Sequence, residues 1–546
     1  MNDRERPTDP QRRRLLRCAC CALPLLALPE AARAALSGDG IGRLPALGDA
    51  AQGLLSPAVE MRLGERIMAQ IRSDPSYLDD VLLREYLQGI VDRLTPAADA
   101  TAEPEAPHRF VVEVLRDPTF NAFALPGGFI CMHTGTVVDA QGGDELAAVF
   151  AHEMSHITQR HVAQKIAHAG ADTLISVGSL VLAILAGAAG NGNAAQGLAM
   201  GGQAAAIDRT LAFSRNVERD ADRVGIAVLR ASGYPPQAMA AMLERLESMS
   251  RLDNGDVFAF LQDHPLDSER IADAQARGGD KPLPPDRSLG FWLMNARARA
   301  LNRRRAEDLR RQAGLFAQPG AALPRRWPAQ LAAWAYGEAL CWRGAGDATR
   351  ARAALQRART LATPFTELER LPLDLLDGDL LLDAAQGNTG PPPGFLDPHE
   401  GRAGPSPAVG RSNADAALQL AQRLRALAPT SRAVLHLQAR ALLALPASAA
   451  TRDFLRQQTV LHPHDVDLWR WLAQADAAGG RVAAQHRATA EAYALQGNLE
   501  GAIVQLKIAQ KTPDTNYFEA SIVDARLAVF KQRLARDKIL DKMIPQ

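Results

Sequence analysis

Cysteine is scarce in this chain, five in 546 residues, and three of them, Cys18, Cys20 and Cys21, fall within the first thirty positions. Loss of an N-terminal leader would leave Cys131 and Cys341 alone. That supports neither a disulfide framework nor a cysteine metal site. Net charge is nearly absent as well: 62 Lys and Arg against 61 Asp and Glu give +1, with no concentrated basic patch beyond the N-terminus. Nucleic acid is therefore not an expected partner. Several long apolar spans would be needed for a polytopic membrane enzyme, and they are missing. Apolar residues are plentiful, at 47%, enough for large cores, and 546 residues imply more than one domain.

Arg12-Arg13-Arg14 precede an apolar run from Cys18 to Pro29, and Ala32-Arg33-Ala34 offers a small-residue cleavage site before Ala35. Residues 1–34 read as a bacterial export signal, too short to anchor the chain in a membrane. Gln11 to Arg17 is similar to a twin-arginine signal, but basic leaders of the general pathway look the same. The three leader cysteines lack the small-residue context of a lipoprotein signal.

His152-Glu153-Met154-Ser155-His156 carries the chemistry. Positions i and i+4 share a helix face, so both imidazoles can reach one metal ion while Glu153 points toward a water on it. Asp144 after Gly142-Gly143 is placed to cap the helix, and Leu146, Val149, Phe150, Met154 and Ile157 form an apolar stripe. A buried helix with two histidines and a glutamate calls for a ligand, because unpaired buried polar groups are costly. Catalytic zinc needs a third protein ligand and an open position. The metzincin pattern is excluded, since Gln159 and Val162 stand where Gly and His would be. His161, five residues past His156, falls on another face of a continuing helix and reads as a surface or at most a supporting residue.

The best source of a third ligand is the helical stretch Asn216 to Gly225, with Val217, Ala221, Val224 and Val228 at helical spacing. Glu218 and Asp222 are again i and i+4. One carboxylate can bind the metal while the other accepts the free N–H of a ligand histidine. The same residues also read as an ordinary charged face, paired with Arg215, Arg219 and Arg223.

These motifs, followed by His264-Pro265-Leu266 ahead of Arg270-Ile271, resemble the zinc metallopeptidases related to the CAAX prenyl protease, specifically the soluble periplasmic branch with a tetratricopeptide tail. The resemblance runs from about residue 50 to the end, the tail matching by repeat pattern more than by motif. It implies that His152, His156 and Glu218 hold one Zn2+ per chain, that Glu153 is the general base and that Asp222 supports the site. Asp220 departs from the Glu often found in relatives, without touching the chemistry. It further implies a periplasmic location and misassembled outer-membrane proteins as substrates. In the mechanism this implies, zinc acidifies water and polarises the scissile carbonyl, and Glu153 carries the proton to the leaving amine. His264 and Arg270 are candidates for stabilising the oxyanion. His264 has a second candidate role, as a fourth ligand that keeps the enzyme inactive.

Phe110 to Val114, Phe120 to Ala124 and Phe129 to His133 read as strands, the last two joined by a turn at Pro126-Gly127-Gly128. His133 lies outside the motif and reads as structural. By resemblance, substrate backbone adds to the strand nearest the cleft, giving broad cleavage of extended segments. Residues 173–206 are unusually apolar and read as a cleft-covering or membrane-touching helical hairpin, a peripheral contact rather than a span. After Pro282 the chain turns to Ala, Leu and Arg-rich helices. Pro429 and Pro463 are 34 residues apart, the tetratricopeptide period, and helix pairs recur around Gly337 to Pro364 and Ala492 to Pro513.

The expected architecture is an α+β zincin-like metallopeptidase domain, mostly helical with a small sheet, followed by an all-α tetratricopeptide solenoid. Its divisions are a helical segment at 35–105, the peptidase at 106–285 and the repeats at 286–546, with a Pro and Gly-rich insertion at 387–413. The repeats would offer a groove for unfolded substrates or the envelope assembly machinery. The alternative is a tetratricopeptide chaperone or scaffold with a latent or vestigial zinc site. Intact Glu153 argues against it, since a scaffold has no need of a general base.

Overall fold

The computed structural model of the chain describes residues 57–102, 109–161, 215–252, 260–261, 264–279, 281–318, 327–387 and 407–543. The export signal at 1–34 and the apolar hairpin at 173–206 lie outside them. Two helices lead in, α1 (Pro57–Ile71) and α2 (Val81–Asp99). Asp80 caps α2 by accepting the Leu83 N–H at 2.9 Å. The sheet follows: β1 (Val111–Leu115), β2 (Ala122–Leu125) and β3 (Phe129–His133), in the order β1-β3-β2. β2 and β3 form an antiparallel hairpin, while β1 runs parallel to β3. Gly128 in the hairpin turn has φ +84°, and a Cβ there would lie 2.1 Å from the Arg109 carbonyl oxygen. β1 and β2 begin one and two residues later than their sequence patterns predict. Asn121 stays outside β2 because its N–H goes to Thr136 Oγ1.

Beneath the sheet lie α3 (Thr134–Asp139), α4 (Gly143–Thr158), α5 (Arg215–Ala231), α6 (Ala238–Leu252) and α7 (Ser268–Gly278). α4 packs on β2, β3, α2, α5 and α6, and every residue from Glu145 to His156 is buried. A helix enclosed on all sides needs more than a stripe, and Ala147, Ala148 and Ala151 fill the remaining faces. Asp144 is not its cap. The Gly143 N–H is received by Asp286 Oδ2 at 2.8 Å, and Glu145 reaches back to the Gln141 N–H. Gly142 allows this approach, since a Cβ would stand 2.9 Å from that of Asp286. α4 stops at Thr158, and Arg160 turns the chain with φ +52°. Gly225 brings α5 close, where a Cβ would meet the Ala151 backbone at 3.3 Å.

The remainder is helical: α8 (Leu289–Leu301), α9 (Ala306–Ala317), α10 (Pro328–Gly344), α11 (Ala348–Leu361), α12 (Leu371–Ala385), α13 (Pro407–Leu427), α14 (Arg432–Ala444), α15 (Ala449–Leu461), α16 (Val466–Ala478), α17 (Val482–Leu495), α18 (Leu499–Ala509) and α19 (Tyr517–Met543). One apolar core runs from α2 through the sheet and the peptidase helices into α8–α12, so residue 286 marks a change of motif rather than a break in packing. Three further cores join α12 to α14, α14 to α17 and α17 to α19. Pro429 and Pro463 sit in turns, and Ser431 and Asp465 two residues on cap α14 and α16. The Pro and Gly-rich insertion ends earlier than its composition predicts. Residues 407–413 belong to α13, where Pro407 stands at the first helical position with φ already suited to it. Among the described residues no helix is long and apolar enough to cross a membrane.

Candidate metal centre

His152 and His156 lie one turn apart on α4 with their Nε2 atoms 3.1 Å from each other. Glu218 comes from the first turn of α5, its carboxylate 3.3 Å from His152 Nε2 and 3.5 Å from His156 Nε2. His264, just ahead of α7, closes the group: its Nδ1 is 3.3 Å from His152 Nε2 and 3.1 Å from Glu218 Oε2. All four side chains are buried, and their ligand atoms fall within 4.8 Å of one another. A tetrahedral site with bonds of about 2.0–2.1 Å has edges of roughly 3.3–3.4 Å. The five separations just given, 3.1–3.5 Å, lie close to that figure.

Charge and burial point the same way. Glu153 is fully buried, and among the described residues neither carboxylate oxygen has a hydrogen-bond partner at normal geometry. The nearest imidazole nitrogen is His264 Nε2 at 3.7 Å. Burial raises the Glu153 carboxyl above its ordinary range, against the pull of His264 and His152. Among the described residues Glu218 and Asp222 share one guanidinium, Arg270, and Glu153 lies beside His264 with no arginine or lysine pair, so with neutral imidazoles three carboxylates meet one positive charge and a divalent cation would cancel the difference. Without an ion the protein turns to protons. Burial opposes charge on His152, yet its bonds to Asp222 and Glu218 raise it to about 10. Burial also opposes the Glu218 charge, but His264 and His152 hold its carboxyl well below the usual range. The residues present therefore fit a metal ion.

Asp222 accepts from His152 Nδ1 at 3.0 Å. Arg270 clamps Asp222 from behind, with Nε at 2.7 Å and Nη2 at 2.9 Å, while Nη1 reaches Glu218 and the Pro265 carbonyl. Engaged this way, Arg270 braces the carboxylates rather than facing an oxyanion. The arginines of α5 do not explain Glu218 and Asp222 as a charged face: Arg223 pairs with Asp220, Arg219 with Glu269, and Arg215 lies nearest Asp267. His264 stacks on Phe260, which meets Phe120 edge-on. His133 is buried away from the cluster, bonded to Thr119 Oγ1.

Of the two readings of His161, the structure takes the supporting one and not the surface one: it is buried against His156, because α4 ends before it and the turn at Arg160 folds it back. Asp286 at the head of α4 was not foreseen at all, and nothing local to either segment signals that pairing.

Residues 82–278 match the model of "Peptidase family M48". The chain is 29% identical over 510 residues to the beta-barrel assembly-enhancing protease of Escherichia coli O157:H7, covering 92% of this chain and 94% of that one. It is 30% identical over 488 residues to the protein of the same name from Yersinia pestis, covering 89% and 90%. Over 163 residues it is 34% identical to the mitochondrial metalloendopeptidase OMA1 of Schizosaccharomyces pombe, 30% of this chain and 45% of that one. With four buried donors from α4, α5 and the segment ahead of α7 gathered inside the matched segment, the chain belongs to peptidase family M48 and is a metalloprotease.

Proposed function

We propose that the chain is a zinc-dependent endopeptidase of the bacterial periplasm that degrades misfolded or misassembled outer-membrane proteins and assists their assembly. The convergence of four buried donors beside the fully buried Glu153 carboxyl carries this reading. His152, His156 and Glu218 hold the ion, and Asp222 fixes the His152 ring with Arg270 behind it. Zinc supplies a Lewis acid that polarises a peptide carbonyl and lowers the pKa of water. Glu153 takes the proton of the attacking water and passes it to the departing amide nitrogen. Its burial suits that task, since a raised carboxyl pKa brings it nearer neutrality. His264 brings a fourth donor to the group, which supports a resting state in which it would close the site to water until this imidazole leaves.

Edge strand β2 lies beside Glu153 and has a strand partner on one side only among the described residues, which suits a substrate backbone adding as a further strand. The 34-residue recurrence and capped helix pairs of the tail support tetratricopeptide repeats that receive clients or the envelope assembly machinery. The export signal and the names of the relatives from Escherichia coli and Yersinia pestis support the location and the clients.

A scaffold with a closed zinc site is the second reading, favoured by the four protein donors themselves, since structural zinc sites are closed. Zinc content and casein cleavage of the purified protein, with Glu153→Gln and His264→Ala, separate the two. Bound zinc with cleavage lost in Glu153→Gln establishes the enzyme, and activity gained in His264→Ala establishes the resting state. Protein purified without chelator and lacking zinc removes the enzymatic reading.

A further inference from the structure

The segment just past α4 departs from a helix in a way that serves the metal site. Arg160 adopts φ +52°, a conformation that residues with a side chain rarely take. Its guanidinium is held by Glu60 of α1, with Nε at 3.1 Å and Nη2 at 2.5 Å from Oε1. The turn brings His161, 4% exposed, back against His156, with the two Nδ1 atoms 2.9 Å apart. On its far side His161 Nε2 lies 3.6 Å from Asp220 Oδ2. Asp220 is in turn gripped by Arg223 Nη2 at 2.5 Å. Both α4 histidines are thus backed by an Asp and Arg pair, His152 directly through Asp222 and Arg270, His156 with a second imidazole in between.

We infer that His161 is a positioning residue: it accepts the Nδ1–H of His156 and so holds that ring with its bare Nε2 aimed at the other donors. The inference rests on the reading of His152, His156 and Glu218 as metal ligands. Proton placement follows from the geometry. A nitrogen-to-nitrogen contact of 2.9 Å needs one hydrogen between the atoms. If His156 presents Nε2 to a metal, its hydrogen is on Nδ1, and His161 must offer a lone pair at its own Nδ1. The hydrogen of His161 then sits on Nε2, facing Asp220, which fixes that tautomer. An imidazole serves better here than a carboxylate would. Glu218 and Asp222 are already buried carboxylates that share one guanidinium, Arg270, and an imidazole acceptor orients His156 without adding a further buried carboxylate.

The test measures zinc affinity by chelator competition on the full-length chain, stripped of metal and reloaded. His161→Phe keeps a ring and removes both nitrogens, and should weaken zinc binding about 10–100-fold, the usual effect of losing such a partner. His161→Gln, which restores an acceptor, should recover most of the loss. Asp220→Asn should weaken binding in the parent and add little on the His161→Phe background, because Asp220 acts through His161. A purely structural role would show neither the rescue nor this non-additivity. Should His161→Phe fail to fold, Asp220→Asn alone decides, its side chain being partly exposed and parent-like affinity overturning the inference. Parent-like affinity in His161→Phe, or full additivity of the two changes, overturns it too. A parent protein that binds no zinc removes the ligand assignment itself, a separately visible failure.

Discussion

Glu153 is held at a cost to the fold, and that cost is measurable. Its carboxyl is fully buried and raised by that burial, which His264 and His152 only partly offset and Glu218 reinforces, and among the described residues neither oxygen has a hydrogen-bond partner at normal geometry. A buried polar group without a partner costs about 1–3 kcal/mol, and more when charged. Leucine matches glutamate in size and carries no polar atoms. Glu153→Leu should therefore stabilise the metal-free protein by about 1–3 kcal/mol, a roughly 5–150-fold shift of the unfolding equilibrium. The same change should abolish cleavage, since general bases contribute about 10²–10⁴-fold in rate. Urea unfolding in EDTA, followed by circular dichroism, measures the first effect, and casein cleavage with zinc restored measures the second. The variant's urea midpoint should rise at unchanged slope. A midpoint equal to or below that of the parent would refute the reasoning, because it would mean that the carboxylate is compensated inside the fold.

Asp222→Asn removes the charge that orients His152 and that Arg270 clamps, so zinc should bind about 10–100-fold more weakly. Chelator competition giving the parent's affinity would discard that role. Burial pushes the His133 imidazole down to about 4, from an unfolded value of 6.5. The unfolded chain takes up a proton that the folded protein refuses until about pH 4, so this contribution is whole above pH 6.5 and about 3 kcal/mol is lost on acidification through that window. His133→Gln should flatten the decline in urea stability between pH 7.5 and 5, and an unchanged decline would count against it. Arg297 is buried, pairs with both oxygens of Asp80 at 2.8 Å and donates to the Tyr336 hydroxyl, tying α2 to α8 and α10. Arg297→Met should cost about 3–5 kcal/mol while leaving zinc stoichiometry at the parent value, and a parent-like thermal midpoint would show the tie to be dispensable.

The chemistry of this protein was legible wherever it depended on local spacing. Two histidines and a glutamate within one turn and a half, and two carboxylates four residues apart, declare their shared faces through helix geometry alone. Turn residues were equally local: Pro126-Gly127-Gly128 marked the hairpin, and Pro429 and Pro463 marked the helix ends in the tail. Pairings over long separations were not legible, because they depend on how whole elements pack. Asp286 receives the head of α4 from 143 residues away, and Arg270 rather than a neighbouring arginine clamps Asp222; His264, a candidate fourth ligand through the family resemblance, joins the group from beyond both helices. The face on which His161 lies was misread for a related reason, although its supporting role was among the readings. Reading it on a continuing helix assumed regular backbone, whereas the helix ends at Thr158 and Arg160, held by Glu60, reverses the chain. The sequence by itself determined which residues could do chemistry, since that follows from side-chain type and local periodicity. Only the tertiary structure decided which of them meet and how their charges balance, because those depend on buried contacts between elements far apart in the chain.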